Sequence, residues 1–191
     1  SIAKELTENL GYSPQEMEFT FESDKPEDFH ILQIRDQDLK LEDEMNAFVQ
    51  SPTEMNQIGR GMGIGGGAMN GFVAFNSVDI KVLRDKYPDA NVILVRPDTV
   101  PDDIGMIFDC DGLLTARGGA TSHAAVTAVR LGKVCVVSCV ELQVYDEQHC
   151  GELNGHKLQV GDKIAIDGNL GLVYLGHYQT EMMKMGKGYN Y

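Results

Sequence analysis

Hydrophobic and polar positions alternate in blocks through the middle of the chain, and these blocks predict strands and helices in turn. Short apolar runs predict four strands, at residues 71–75, 92–95, 112–115 and 134–137. The stretches between them predict three helices, at residues 77–86, 101–108 and 122–131. Alternating elements of this length indicate an α/β domain. Two further strands, 163–166 and 172–175, are expected on either side of the turn-forming run Asp167-Gly168-Asn169.

The amino-terminal part shows a different pattern. Residues 17–21 and 29–34 alternate apolar and other side chains around a turn-rich segment, which predicts a β-hairpin. A lone hairpin is marginally stable in water, so it is expected to belong to a sheet whose other strands lie outside this chain. Residues 36–55 are charged, with apolar residues at a weakly helical spacing, and they predict a linker helix. The glycine-dense stretch 59–67 cannot continue that helix.

The composition excludes two classes of partner. The chain has 29 acidic and 16 basic residues, and the formal net charge of -13 repels nucleic acids and anionic membrane surfaces. No run approaches the ~20 apolar residues of a membrane span, so a cytoplasmic protein is expected. The four cysteines lack paired C-x-x-C spacing and are expected to be buried, reduced thiols. A start at serine without methionine suggests a piece of a longer chain.

One histidine lies where backbone donors are concentrated. The chain runs from an apolar strand through Gly118 and Gly119 to a helix start. Thr121 or Ser122 suits the N-cap, so His123 falls in the first helical turn. Unpaired N–H groups and the helix dipole there favour an anion such as a phosphoryl group. Neutral imidazole, with an ordinary pKa of about 6.5, is also a good nucleophile. A packed or capping histidine is the alternative that these features leave open.

The run that contains this histidine, Gly-Gly-Ala-Thr-Ser-His-Ala-Ala at residues 118–125, resembles a family signature. The signature Gly-Gly-x-Thr-Ser/Cys-His-Ala-Ala is that of the phosphohistidine, or swivelling, domain of the phosphoenolpyruvate-utilising enzymes. The resemblance covers residues 61–176, and runs such as 115–119 and 135–139 look most like the pyruvate, phosphate dikinases. It implies a three-layer β/β/α swivelling domain in which His123 is phosphorylated at Nε2. The residues implied to support the phosphoryl group are Arg117, Gly118, Gly119, Thr121 and Ser122.

The resemblance also implies how the chain is divided. Residues 1–36 would be the carboxyl-terminal end of an ATP-grasp nucleotide domain, 37–60 a helical linker, 61–176 the phosphohistidine domain and 177–191 a second linker. Glu18, Gln33 and Arg35 match family residues that hold the Mg-nucleotide. A polar strand face is the alternative explanation of these three residues. The segments 36–60 and beyond Gly176 are the expected hinges.

The activity implied by the resemblance belongs to a larger enzyme. That enzyme would transfer a phosphoryl group from ATP, with inorganic phosphate as co-substrate, to His123 and then to pyruvate, giving phosphoenolpyruvate. It would use ATP and Mg²⁺, although neither is expected to bind this chain alone. The implied partners are the ATP-grasp domain and the pyruvate-binding barrel domain of the same enzyme, which would be a homo-oligomer. No metal site is expected, because His149, His156 and His177 share no ligand spacing.

Alternatives remain at the level of the subfamily and of single residues. The chain could be the carrier of a phosphoenolpyruvate synthase or of the phosphotransferase-system enzyme I, or a swivelling module that only binds a partner. Several positions depart from the dikinase pattern: Val129 replaces an arginine, Ser138 replaces a glycine, and Gly65-Gly66 replaces Ser-Pro. Thr121 has two interpretations, a capping residue or a regulatory phosphorylation site.

Overall fold

The computed structural model describes residues 15–21, 29–36, 44–119 and 122–184, which fall into two compact units, 1–43 and 44–191. In the first unit, β1 (Gln15–Phe21) and β2 (Phe29–Asp36) pair antiparallel, which confirms the predicted hairpin. The pairing places Glu18 opposite Gln33 and Glu16 opposite Arg35, with a bulge after Glu18. The candidate nucleotide residues therefore occupy neighbouring register positions of one hairpin.

The second unit begins with β3 (Glu44–Phe48), which pairs antiparallel with β15 (Thr180–Lys184). A short 3₁₀ turn at Pro52–Glu54 follows. The expected linker helix is therefore wrong for the described part of that stretch, and the expected second linker contains a strand. Both strands are mostly exposed or half-buried, and their partners lie more than a hundred residues apart along the chain. Local periodicity cannot reveal a pairing over that distance.

The main sheet of this unit has eight strands. They are β4 (Gln57–Arg60), β5 (Met62–Gly65), β6 (Ala68–Ala74), β7 (Val92–Arg96), β8 (Gly112–Thr115), β9 (Val134–Val137), β13 (Lys163–Asp167) and β14 (Leu172–Leu175). Their order is β4-β14-β13-β6-β7-β8-β9-β5. The strands from β6 to β9 are parallel, and every other neighbouring pair is antiparallel. The mixed α/β class predicted from the sequence is confirmed.

Both faces of the parallel strands are covered. One face packs against the helices α1 (Ser77–Lys86), α2 (Ile104–Asp109) and α3 (His123–Arg130). The other face packs against a three-stranded antiparallel sheet formed by β10 (Leu142–Tyr145), β11 (Cys150–Leu153) and β12 (His156–Gln159). Within β7, Val92 and Leu94 belong to the helical core, whereas Ile93 and Val95 belong to the core between the sheets. Alternate residues of a strand point to opposite faces, which produces three layers.

Short turns and caps explain why several predicted elements have the bounds that they do. Helix α1 begins after Asn76, whose side chain accepts a hydrogen bond from the Asp79 N–H at 2.9 Å. The helix predicted at 101–108 begins instead as a 3₁₀ turn at Pro101–Asp103 and continues as α2.

No helix among the described residues is long and apolar enough to cross a membrane.

The connection between β4 and β5 passes close to two other segments at Gly61. The Gly61 N–H donates to the Gly171 carbonyl at 2.8 Å. A Cβ atom at Gly61 would lie 2.4 Å from the Val137 carbonyl oxygen. Because that oxygen belongs to the backbone of β9, a side chain at Gly61 would require the sheet itself to shift.

We expect the variant Gly61→Ala to destabilise the second unit by about 1–3 kcal/mol, because the added methyl group overpacks against backbone. The matched control is Gly105→Ala in α2, where nothing lies within 4 Å of the added atom. Alanine should stabilise that helix by roughly 0.5–1 kcal/mol relative to glycine. Urea unfolding followed by circular dichroism measures both changes. Equal shifts in the same direction would contradict the close approach at Gly61.

Candidate active site

The carboxyl ends of β7, β8 and β9 lie at one edge of the sheet, and the loops after them are in contact. Ser138, after β9, donates a hydrogen bond from Oγ to the Gly118 carbonyl in the loop after β8. A Cβ atom at Gly118 would lie 3.3 Å from Oδ1 of Asp98, in the loop after β7. Gly118 also has a φ of 93°, in the left-handed region that side chains disfavour. A glycine is therefore required where these three loops meet.

A tight turn leads from this loop into α3. The Ser122 N–H donates to the Gly119 carbonyl at 3.0 Å. Ser122 has the extended backbone of an N-cap residue, and its Oγ accepts from the Ala125 N–H at 3.2 Å. Of the two N-cap candidates, the structure selects Ser122, and His123 is the first residue of the helix. The predicted placement of this histidine in the first helical turn is confirmed for its backbone.

The remaining candidate residues lie in three different places. Arg117 is exposed on the loop and makes no ion pair with a described residue, and its N–H donates to the Pro97 carbonyl at 2.9 Å. Thr121 and the His123 side chain lie outside the part of the chain that the structure describes. The positions of Glu18, Gln33 and Arg35 belong to the hairpin of the first unit.

A buried threonine that the sequence did not single out also holds the loop. Thr115, the last residue of β8, is 1% exposed, and its Oγ1 donates to the Arg117 carbonyl at 2.6 Å. Its own carbonyl accepts from the Cys139 N–H at 2.9 Å, which joins the ends of β8 and β9. In the sequence, the signal that could have identified Thr115 is a polar residue at the end of an apolar run.

An arginine at the end of β7 joins several elements at the same edge of the sheet. Arg96 Nη1 donates to Asp146 at 2.6 Å and to the Phe75 carbonyl at 3.2 Å. Its Nη2 lies 3.6 Å from the carboxylate of Asp103, which is 4% exposed. The charge-assisted hydrogen bond to Asp146 and the ion pair with Asp103 fix the two 3₁₀ turns at Pro101–Asp103 and Asp146–Gln148 against the strand end. The sequence did not identify Arg96 as a site residue.

Metal-ligating residues are not clustered in the described ranges. No group of three or more His, Cys, Asp or Glu side chains there could hold a metal ion. His149 lies with Nδ1 3.0 Å from the Asn76 amide nitrogen and 3.4 Å from Asp79. This arrangement links the 3₁₀ turn before β11 to the start of α1.

Three of the four cysteines are buried in the core. Burial raises the pKa of the Cys110 and Cys139 thiols to about 11 and that of Cys135 to about 12. Cys150 is only partly buried. All four are free thiols in the structure, and the burial expected from the sequence is confirmed for three of them.

Comparison with known proteins gives a family and several relatives. The family model for the PEP-utilising enzyme, mobile domain, matches residues 88–171. A pyruvate, phosphate dikinase of Clostridium symbiosum is 40% identical over 124 residues, which cover 65% of this chain and 14% of that protein. A pyruvate, phosphate dikinase of Rickettsia typhi is 33% identical over 205 residues, covering 92% of this chain and 22% of that protein. The chain thus spans less than a quarter of the length of these relatives.

A solved structure is also similar in part. An NMR solution structure of Enzyme I is 26% identical, over 46% of this chain and 31% of that one, with a TM-score of 0.33.

We expect Ser122→Ala to lower the free energy of unfolding by about 1 kcal/mol, because it removes the acceptor for the Ala125 N–H. The matched control is Ser77→Ala, an exposed serine at the first position of α1, where Asn76 is the N-cap. Chemical denaturation of each variant measures the difference. An equal loss of stability in the two variants would exclude the capping role of Ser122.

We expect Cys150 to react with a disulfide reagent at pH 8 roughly tenfold or more faster than the other cysteines, because only the thiolate attacks the reagent. The raised pKa values of Cys110, Cys135 and Cys139 leave little thiolate at that pH. Absorbance of the released thiol measures the rates, and Cys150→Ser should remove the fast phase. A fast phase that persists in this variant would show that a core cysteine is accessible.

Proposed function

Residues 88–171 belong to the mobile-domain family of the PEP-utilising enzymes, and from this we propose that the chain is the phosphoryl carrier of a pyruvate, phosphate dikinase-like enzyme. His123 is the residue that accepts and passes on the phosphoryl group. The observation that carries this proposal is the position of His123 as the first residue of α3, directly after the glycine loop at the carboxyl edge of the sheet.

The proposed chemistry consists of two transfers at one imidazole nitrogen. In the first, the neutral imidazole of His123 attacks the β-phosphorus of ATP, an N–P bond forms and the P–O bond to AMP breaks, which leaves a pyrophosphoryl group on the nitrogen. Inorganic phosphate, the co-substrate of this half-reaction, then attacks the terminal phosphorus and leaves as pyrophosphate, so that one phosphoryl group remains on His123. In the second, pyruvate loses a methyl proton, its enolate oxygen attacks the phosphorus, and the N–P bond breaks to give phosphoenolpyruvate. The histidine returns to its neutral form.

Local features of the helix start support a negatively charged group at this position. The first N–H groups of an α-helix have no acceptor within the helix, and the dipole is positive at that end. The side chain of Ser122 takes up the Ala125 N–H, which leaves the earlier donors of the turn available for an anion. Gly118 and Gly119 place no side chain between the loop backbone and such a group.

Carrying a phosphoryl group between two sites requires other domains. The proposed partners are an ATP-grasp domain and a pyruvate-binding barrel domain of the same enzyme. We assign residues 61–176 to the swivelling domain and residues 1–36 to the end of the ATP-grasp domain. In-line transfer needs the histidine at each reacting centre in turn, so the carrier must move relative to those two domains.

The hairpin of the first unit would contribute to the nucleotide site of the whole enzyme. Glu18 and Gln33, at opposed register positions, carry oxygen atoms of the type that Mg²⁺ prefers. Arg35 carries a guanidinium suited to a phosphate group. In the complete enzyme these residues would hold the Mg-nucleotide, and the metal would neutralise charge on the phosphates.

The dikinase is preferred over a phosphoenolpyruvate synthase or enzyme I because relatives at 33–40% identity are named dikinases. A requirement for inorganic phosphate distinguishes the dikinase from the phosphoenolpyruvate synthase. Because phosphate must remove the terminal phosphoryl group as pyrophosphate, a dikinase completes the phosphohistidine from ATP only when phosphate is present. A module that only binds a partner would not be labelled at all.

We expect the full-length enzyme to be labelled by ³²P-phosphoenolpyruvate, and His123→Ala to abolish the label, because the variant lacks the accepting nitrogen. The adduct should be labile in acid and stable in base, as expected of an N–P bond. The control variant is His156→Ala, an exposed histidine at the start of β12 that should label normally. Label that survives in His123→Ala would overturn the assignment of the carrier residue.

A further inference from the structure

Two hydroxyl groups hold successive carbonyl groups of the loop before His123. Thr115 Oγ1 donates to the Arg117 carbonyl at 2.6 Å, and Ser138 Oγ donates to the Gly118 carbonyl. The two donors come from different strands, since Thr115 ends β8 and Ser138 follows β9. The loop is thus attached to the sheet at two consecutive peptide groups.

Holding a carbonyl fixes the direction of the next N–H group. No described peptide bond is cis, and in a trans peptide the C=O of one residue and the N–H of the next point in opposite directions. The Gly118 N–H therefore points away from the Thr115 hydroxyl, and the Gly119 N–H points away from the Ser138 hydroxyl. Neither N–H donates to an acceptor among the described residues. Two backbone donors are left available on the side opposite the hydroxyls.

The backbone of Ser138 shows that this arrangement has a conformational cost. Its φ of 53° lies in the left-handed region, which residues other than Gly, Asn and Asp seldom adopt. The family pattern has a glycine at this position, and glycine adopts such a φ without strain. A strained backbone conformation persists where the surrounding structure enforces it. At this position the hydrogen bond from the Ser138 side chain to Gly118 is the contact that a glycine would lack.

We propose that Thr115 and Ser138 are positioning residues whose hydroxyls orient the Gly118 and Gly119 N–H groups as donors to the phosphoryl group on His123. The proposal rests on the carrier function proposed above. Successive backbone N–H groups in a glycine loop are a common means of binding phosphate. The donors act only in the phosphorylated state, so they stabilise the phosphoenzyme relative to the free histidine.

The test is an equilibrium titration of the full-length enzyme. The fraction of enzyme labelled by ³²P is measured as the ratio of phosphoenolpyruvate to pyruvate is varied. If donors that act only in the phosphoenzyme are lost, the ratio at which half of the enzyme is labelled, the midpoint ratio, rises. The labelled fraction at a high ratio, the plateau, is unchanged. Misfolding has the opposite signature, since it lowers the plateau and leaves the midpoint of the remaining enzyme in place.

The variants Ser138→Ala and Ser138→Gly separate the hydroxyl from the backbone strain. Both remove the bond to Gly118, so each should raise the midpoint ratio roughly three- to tenfold, the range for one hydrogen bond. Their thermal stabilities should differ, because glycine relieves the strain at φ of 53° and alanine does not. If Ser138→Gly has the wild-type midpoint ratio and only the less stable Ser138→Ala has a raised one, the midpoint follows thermal stability and the proposal is overturned.

A second pair of variants covers the case in which the Ser138 variants fold poorly. Thr115→Val removes the hydroxyl and keeps the buried shape, so it should raise the midpoint by a similar factor. Thr115→Ser retains the hydroxyl and should restore a near wild-type midpoint. Equal midpoints for these two variants would contradict the role of Thr115. A wild-type enzyme that takes no label at all would overturn the carrier function and this inference with it.

Discussion

Burial of the parallel strands β6 to β9 on both faces is the constraint on which the second unit depends. Successive residues of β7 are buried alternately against the helices and against the small sheet, and Val92, Ile93, Leu94 and Val95 are each no more than 1% exposed. A strand buried in this way has no position for an exposed polar side chain along its length. Polar chemistry is therefore confined to the strand ends, as in other open α/β sheets. The loops after β7, β8 and β9 meet at such an end.

The loop after β8 is held mainly by its neighbours. Bonds from Thr115 and Ser138 attach it to the ends of two strands, and Ser122 fixes the helix that follows. A carrier residue must present the same geometry at two reacting centres, so a loop fixed by the sheet suits the proposed function better than an independent one. The left-handed backbone of Ser138 is the cost of this attachment.

Local signals predicted the elements that local interactions stabilise. The bounds of α1, β8, β9 and β14 agree with the expectation, because the strands contain strong apolar runs and α1 directly follows the cap residue Asn76. The prediction of a linker helix was wrong, because β3 is stabilised by pairing with β15. Phe48 of β3 also packs against Tyr174, with the two ring centroids 5.6 Å apart. The small sheet of β10 to β12 was not predicted, since its strands show only partial alternation of apolar and polar residues.

The sequence by itself determined the glycine turn and the place of His123 in the first turn of a helix, and it narrowed the N-cap to two neighbouring residues, because these features depend on residues close together in the chain. Only the tertiary structure decided what holds that turn. Ser138 and Gly118 are 20 positions apart, and they meet because β8 and β9 are adjacent parallel strands whose carboxyl ends lie at one edge of the sheet. The order of the strands depends on how side chains are buried across the whole unit, and a local sequence pattern does not carry that information.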